Sequence, residues 1–117
     1  MVKKAAEMPT DVREQMRGGE GAVTLTHAFL EEDWGSPTRL FSKATLPPGA
    51  SIGFHIHEGE EEFYFFTAGE AEYSDNGATI SVRAGDATLT KDGEGHSVKN
   101  TGSVPVEFIA SIVRYAG

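Results

Sequence analysis

The chain has 117 residues, with 18 acidic against 10 basic side chains and a formal net charge of −8, which leaves room for one domain with a modest core. That acidic excess argues against nucleic acid, whose phosphates need Lys and Arg to displace their counterions, and against an anionic membrane surface. There is no Cys, which excludes a disulfide framework and thiolate metal sites.

Residues 1–21 read as an N-terminal arm. The opening Met-Val-Lys-Lys-Ala-Ala-Glu lacks the apolar core of a secretory signal, so a cytoplasmic location is expected. Thr10 to Met16 can make one or two helical turns, with Thr10 or Asp11 as cap and Glu14 in the first turn. Gly18-Gly-Glu-Gly21 then breaks the helix. It lacks the Lys-Ser/Thr of a phosphate-binding loop and reads as a hinge.

From Ala22 the pattern turns to short β-prone runs, and residues 22–117 read as one β-barrel unit. Ala22 to Phe29 and Arg39 to Leu46 flank an acidic loop containing Trp34 and Pro37, and Pro47-Pro48-Gly49 punctuates the chain again, since neither proline can donate to a sheet ladder. Asp75-Asn76-Gly77 between two β-prone runs is a hairpin signal, because Asn-Gly suits the positive φ angles of a type I′ turn. In the last strand, Val106, Phe108, Ala110 and Ile112 alternate onto one face. Many short strands without a long helical pattern indicate a sandwich or small barrel.

The chemistry concentrates between Gly49 and Gly69. His55 and His57 are two apart in an alternating run, so on a strand both imidazoles leave the same face. Ser51 and Gly53 share that inward face by the same arithmetic, while Ile52, Phe54 and Ile56 share the other. The acidic turn Glu58 to Glu62 leads into a strand whose Glu62 offers an oxygen donor, and His96 supplies a third imidazole from a distant strand. Tyr64 and Phe66 share the face of Glu62, whereas Phe63 and Phe65 point away and, with Ile52 and Phe54, need a cover, either the second sheet or a dimer partner. Three neutral imidazoles and one carboxylate suit one divalent first-row ion such as Mn, Fe, Co, Ni or Zn, with positions left for water or substrate.

At this point the chain resembles a known family. Gly49, His55, His57, Glu62 and Gly69 fit every fixed position of the cupin motif Gly-x5-His-x-His-x4-Glu-x6-Gly. Gly85, Gly93, His96 and Asn100 fit the partner motif Gly-x5-Pro-x-Gly-x2-His-x3-Asn, with Lys91 in place of the proline. The resemblance implies an all-β, single-domain jelly-roll barrel and metal ligation by His55, His57, Glu62 and His96; a homodimer with the N-terminal arm laid across the partner's sheet edge is expected from the small core. It also implies a small metalloenzyme, dioxygenase- or decarboxylase-like before isomerase-like, acting on an oxygenated or carboxylated molecule chelated by the metal. The alternative is a non-catalytic binding or sensing module.

Weaker candidates surround this set. Glu60 and Tyr64 are catalytic candidates, and Tyr64 and Phe66 candidates for substrate contact, while Glu58 and Glu61 read as a solvated acidic turn. Arg39 and Lys43 share a strand face and would clamp an anion were that face inward, but Leu40, Ser42, Ala44 and Leu46 claim the core. His27 reads as an ordinary hydrogen-bonded histidine, and Asn100 as a strand-end or turn residue.

Overall fold

Period-two alternation of apolar side chains builds this fold. Val106, Phe108, Ala110 and Ile112 are all buried, as are Glu62, Tyr64 and Phe66, so each of these strands gives one face to the interior. The structure is a computed structural model and describes residues 1–115. The last two residues of the barrel unit expected over 22–117 lie outside the described residues.

The strands, in chain order, are β1 (Thr10–Glu14), β2 (Ala22–Phe29), β3 (Thr38–Leu46), β4 (Ser51–Ile56), β5 (Glu60–Ala68), β6 (Glu70–Asp75), β7 (Ala78–Arg83), β8 (Ala87–Thr90), β9 (Gly95–Lys99) and β10 (Val106–Arg114). One antiparallel sheet has the order β1-β2-β3-β10-β5-β8 and the other β4-β9-β6-β7. This is the all-β jelly-roll barrel, with the core between the two sheets. Its centre is aromatic: the Tyr64 and Phe108 rings lie 4.1 Å apart and those of Phe66 and Phe108 5.1 Å apart. Burying each such ring contributes about 1.5–3 kcal/mol.

Several local readings hold. Asn76 and Gly77 form the two-residue β6–β7 turn at φ 52° and 93°, as the hairpin signal requires. The motif residue Gly69 turns β5 into β6 at φ 80°, and a Cβ there would stand 2.5 Å from the Pro105 carbonyl oxygen. Asn100 is buried and ties its turn together, donating to the Leu46 and Val104 carbonyls and accepting from the Gly102 amide.

Two expectations fail. The first is the helix over Thr10 to Met16. Thr10–Glu14 instead form β1, paired along its whole length with β2 from Thr10↔Thr26 to Glu14↔Ala22, because the sheet edge offers five residues of ladder that a short isolated helix cannot match, and only Met16–Gly18 makes a single 3-10 turn. The arm then turns through Gln15 and Arg17, both left-handed at φ 49° and 55°, and reaches the other sheet. There the Ser51 amide donates to the Glu20 carbonyl and the Glu20 amide to Ser51 Oγ, each at 2.8 Å. The arm therefore sews the edge of one sheet to the edge of the other.

The second failure is the facing of β4. Ile52 sits opposite Val98, yet His55 sits opposite His96, so β4 uses one residue more than β9 over this interval. That β-bulge reverses the alternation partway along the strand. Ile52 is consequently in the core at 2% exposure, together with His55 and His57 on the inner side, while Phe54 and Ile56 stand 51% and 56% exposed. Phe63 and Phe65 also remain exposed, so within this chain neither they nor Phe54 is covered by the second sheet.

Candidate metal centre

The two sheets bring four donors to one point. His55 ends the inner run of β4, His57 lies just beyond it, His96 faces His55 across the β4–β9 ladder, and Glu62 enters from β5. His96 Nε2 is 3.1 Å from both His55 Nε2 and His57 Nε2, and Glu62 Oε1 is 2.9 Å from His57 Nε2 and 3.0 Å from His96 Nε2. All four donor atoms lie within 4.8 Å of one another, so the cluster could hold a metal ion. Donors about 2.1 Å from a first-row ion and at right angles to one another stand about 3 Å apart. The spacing found among these side chains fits that geometry.

Each imidazole is held from behind through Nδ1. The Gly53 carbonyl accepts from His55 at 2.8 Å, Glu60 Oε2 lies 2.7 Å from His57 Nδ1, and the Tyr73 hydroxyl and Thr90 Oγ1 lie 2.7 and 2.9 Å from His96 Nδ1. Occupying Nδ1 in this way fixes the ring and leaves Nε2 as the donor to a metal. Glu60 is in turn gripped by Arg39, whose Nε and Nη2 each donate at 2.9 Å. Arg39, at a bulge where β3 slips against β10, thus orients His57 through Glu60.

The electrostatics follow from burial and pairing. Burial disfavours the Glu62 carboxylate, but hydrogen bonds from His57 and His96 outweigh it and hold its pKa down to about 2. Burial lowers His55 to about 4, whereas Glu62 first, and then Glu60, raise His57. Although burial opposes it, Arg39 and His57 keep the Glu60 carboxyl below its usual value. Burial, followed by the charge on Glu62, pushes the Tyr64 phenol well above its ordinary range, so it stays a neutral donor.

A cavity of about 90 Å³ opens beside the cluster. His55, His57, Glu62 and Tyr64 form its polar wall, and Leu25, Leu40, Ile52 and Ile112 are part of its apolar wall. Arg13, Met16 and Arg17 of the arm, together with Arg39, complete it. Phe66 does not line it and is fully buried against Phe108. Lys43 pairs outside with Glu107 at 3.2 Å, so it forms no clamp with Arg39. Glu58 is exposed and Glu61 half-buried in the loop and strand start. His27 bonds to Ser42 Oγ at 2.7 Å, a structural role.

Sequence reasoning did not reach Tyr73, Thr90, Arg13 or Arg17. Tyr73 alternates inward with Ala71 along β6, a pattern that was readable but pointed only to core. Arg13 lies in β1, which shows no alternation, and Arg17 in the turn after it, so neither carried a periodic signal.

Comparison with known proteins agrees with this geometry. The cupin domain family matches residues 42–112. The oxalate-binding protein of Thermotoga maritima is 42% identical over 113 residues, covering 97% of this chain and 93% of that protein. A crystal structure from Thermotoga maritima described as a predicted oxalate decarboxylase superposes with a TM-score of 0.94 at 41% identity, over 98% of this chain and all of that one. An RmlC-like cupin from Shewanella frigidimarina shares the fold alone, with a TM-score of 0.74 at 12% identity over 97% of this chain and 90% of that one. With motif, barrel and converging donors in agreement, this chain belongs to the cupin family.

Proposed function

We propose that this chain holds one divalent first-row metal ion through His55, His57, Glu62 and His96 and uses it to anchor a small carboxylated ligand. The observation that carries the reading is the triple restraint of the histidines: every Nδ1 is occupied, so every Nε2 converges with Glu62 Oε1. When bound, the ion supplies Lewis acidity and open positions at which an oxygen donor is held. The chain's own residues shape what reaches it. Leu25, Leu40 and Ile112 keep one side of the cavity dry, and the neutral Tyr64 phenol is suited to donate a hydrogen bond to a ligand oxygen.

Cavity size narrows the ligand. A dry cavity of about 150 Å³ accepts benzene, so 90 Å³ suits a molecule smaller than benzene. Oxalate, the ligand in the name of the Thermotoga maritima relative, is of that size.

Binding takes precedence over turnover because of the acid–base inventory. Glu60 is committed to Arg39 and His57, which leaves Tyr64 as the proton donor among the described cavity residues that are neither candidate ligands nor arginines. A decarboxylase- or dioxygenase-like activity is the second reading, favoured by the open metal positions and by Tyr64. The exposed row of Phe63, Phe65 and Leu89 on adjacent strands supports a homodimer.

Elemental mass spectrometry on untagged protein, purified without added metal beside a His96→Ala variant, tests the metal reading. About one divalent ion per chain, largely lost in the variant, is expected. A wild-type protein that stays empty even when offered Mn, Fe, Co, Ni and Zn refutes it.

A further inference from the structure

The cavity is cationic in an acidic protein. Three of the five arginines in the sequence, Arg13, Arg17 and Arg39, line it, while Glu62 is its only acidic residue among the described ones. Their partners differ. Arg39 is spent on Glu60 through two hydrogen bonds, and Arg13 Nε is taken by Asp11 at 2.9 Å. Among the described residues no carboxylate lies within ion-pair distance of Arg17. A guanidinium without a partner at a concave site is free to pair with an anion.

The arm holds Arg17 in place at a backbone cost. Arg17 is left-handed at φ 55°, two residues after Gln15 at φ 49°, and such conformations cost about 1–2 kcal/mol each for residues other than glycine. They persist because the turn is fixed at both ends: the Gln15 amide donates to the Gly21 carbonyl, and the Gly19 amide to the Met16 carbonyl, each at 2.9 Å. The turn also lies backbone to backbone on β4, where a Cβ on Gly53 would collide with the Arg17 carbonyl and a Cβ on Gly19 with that of Ser51. Strain of this kind, at a residue facing a cavity, is the pattern expected of a ligand contact.

We propose that Arg17, carried to the cavity by the N-terminal arm, is a specificity-determining residue that selects a small dianion over monoanions and neutral molecules of the same size. The inference rests on the metal-anchored binding reading above and names the ligand charge for that site. A divalent ion beside one carboxylate ligand leaves a single positive charge, which a monoanion neutralises by itself. A dianion leaves one negative charge over, and Arg17, which lines the cavity while itself exposed to solvent, supplies its counterpart.

The test uses the full chain loaded with Mn(II), with metal content and melting temperature measured for every variant. Isothermal titration calorimetry with oxalate (dianion), oxamate (monoanion) and oxamide (neutral) is run on wild type, Arg17→Gln, Arg17→Lys and, as a distant control, Arg83→Gln. Wild type is expected to prefer oxalate. Arg17→Gln should keep its metal and lose oxalate affinity roughly ten- to a hundredfold, the range for a charge-assisted hydrogen bond, with oxamate and oxamide nearly unchanged. Arg17→Lys should recover part of the loss and Arg83→Gln should match wild type. Metal-loaded Arg17→Gln that binds oxalate as wild type does overturns the arginine's role and leaves the metal reading standing. Wild type that takes up no Mn(II) overturns the metal reading and this inference with it.

Discussion

Removing the Glu60 carboxylate should weaken metal binding without touching a ligand. In Glu60→Ala, His57 loses its Nδ1 partner at 2.7 Å and Arg39 loses both of its bonds, so the ring is free to turn Nε2 away from the cluster. Outer partners of metal-binding histidines are worth about ten- to a hundredfold in affinity, or about 1.4–2.7 kcal/mol. For 117 residues, an unfolding entropy of about 2.1 cal/mol/K per residue comes to roughly 0.25 kcal/mol/K. At a fixed saturating metal concentration, the metal-induced rise in melting temperature should therefore shrink by about 6–11 °C. Comparing each variant with and without metal cancels the effect of the mutation on the apoprotein. Glu60→Gln, whose amide oxygen can still accept from His57, should retain most of the affinity. Chelator-competition titrations that place Glu60→Ala within twofold of wild type, with an undiminished melting shift, would refute the argument.

Tyr73→Phe removes the hydroxyl 2.7 Å from His96 Nδ1 but leaves Thr90 Oγ1 at 2.9 Å, so metal affinity in the same titration should fall by about tenfold or less; a loss as large as that of His96→Ala would mean that Thr90 cannot hold the ring alone. The metal-free protein should lose stability on acidification in two steps. His55, lowered to about 4 from 6.5, stays neutral in the fold while the unfolded chain takes up a proton, so stability falls as pH drops from 6.5 toward 4; Glu62, lowered to about 2 from 4.5, contributes stability above 4.5 that is lost toward pH 2. His57, raised above 6.5, acts oppositely, its contribution being full below 6.5 and lost as pH rises through its folded value. Urea midpoints across this range should show the first step missing in His55→Gln, and an unchanged profile would count against the assignment.

How much of this could be read from the chain depends on the kind of signal each residue carries. The convergence of His55, His57, Glu62 and His96 was legible because they are spaced along the chain as the two strand pairs require, and the inward faces of β5 and β10 were legible because their alternation is unbroken. The inner face of β4 was not, since a bulge changes facing without changing composition: Ile52 and Phe54 look alike in sequence and end on opposite sides. Arg39 escaped for a related reason, because a slip in the β3 ladder turns a residue grouped with Lys43 toward Glu60 instead. The arm was misread because β1 is stabilised by its ladder to β2 rather than by an apolar stripe, and a stretch such as Thr-Asp-Val-Arg-Glu has no periodicity to betray it. Its glycines, read as a helix break and hinge, instead belong to a turn hydrogen-bonded at both ends, and their close backbone contact with β4 depends on a partner far away in sequence.

The arm crosses from one sheet to the other outside the segment by which the family is recognised, residues 42–112. The four candidate metal donors lie wholly inside that segment, whereas Arg13 and Arg17 lie wholly outside it. The four donors and part of the cavity lining are thus encoded in separate stretches of the chain. Under the role proposed for Arg17, exchanging the first twenty residues would alter what the cavity accepts while leaving the four donors in place. A match to the motif segment alone therefore leaves that part of the lining unread.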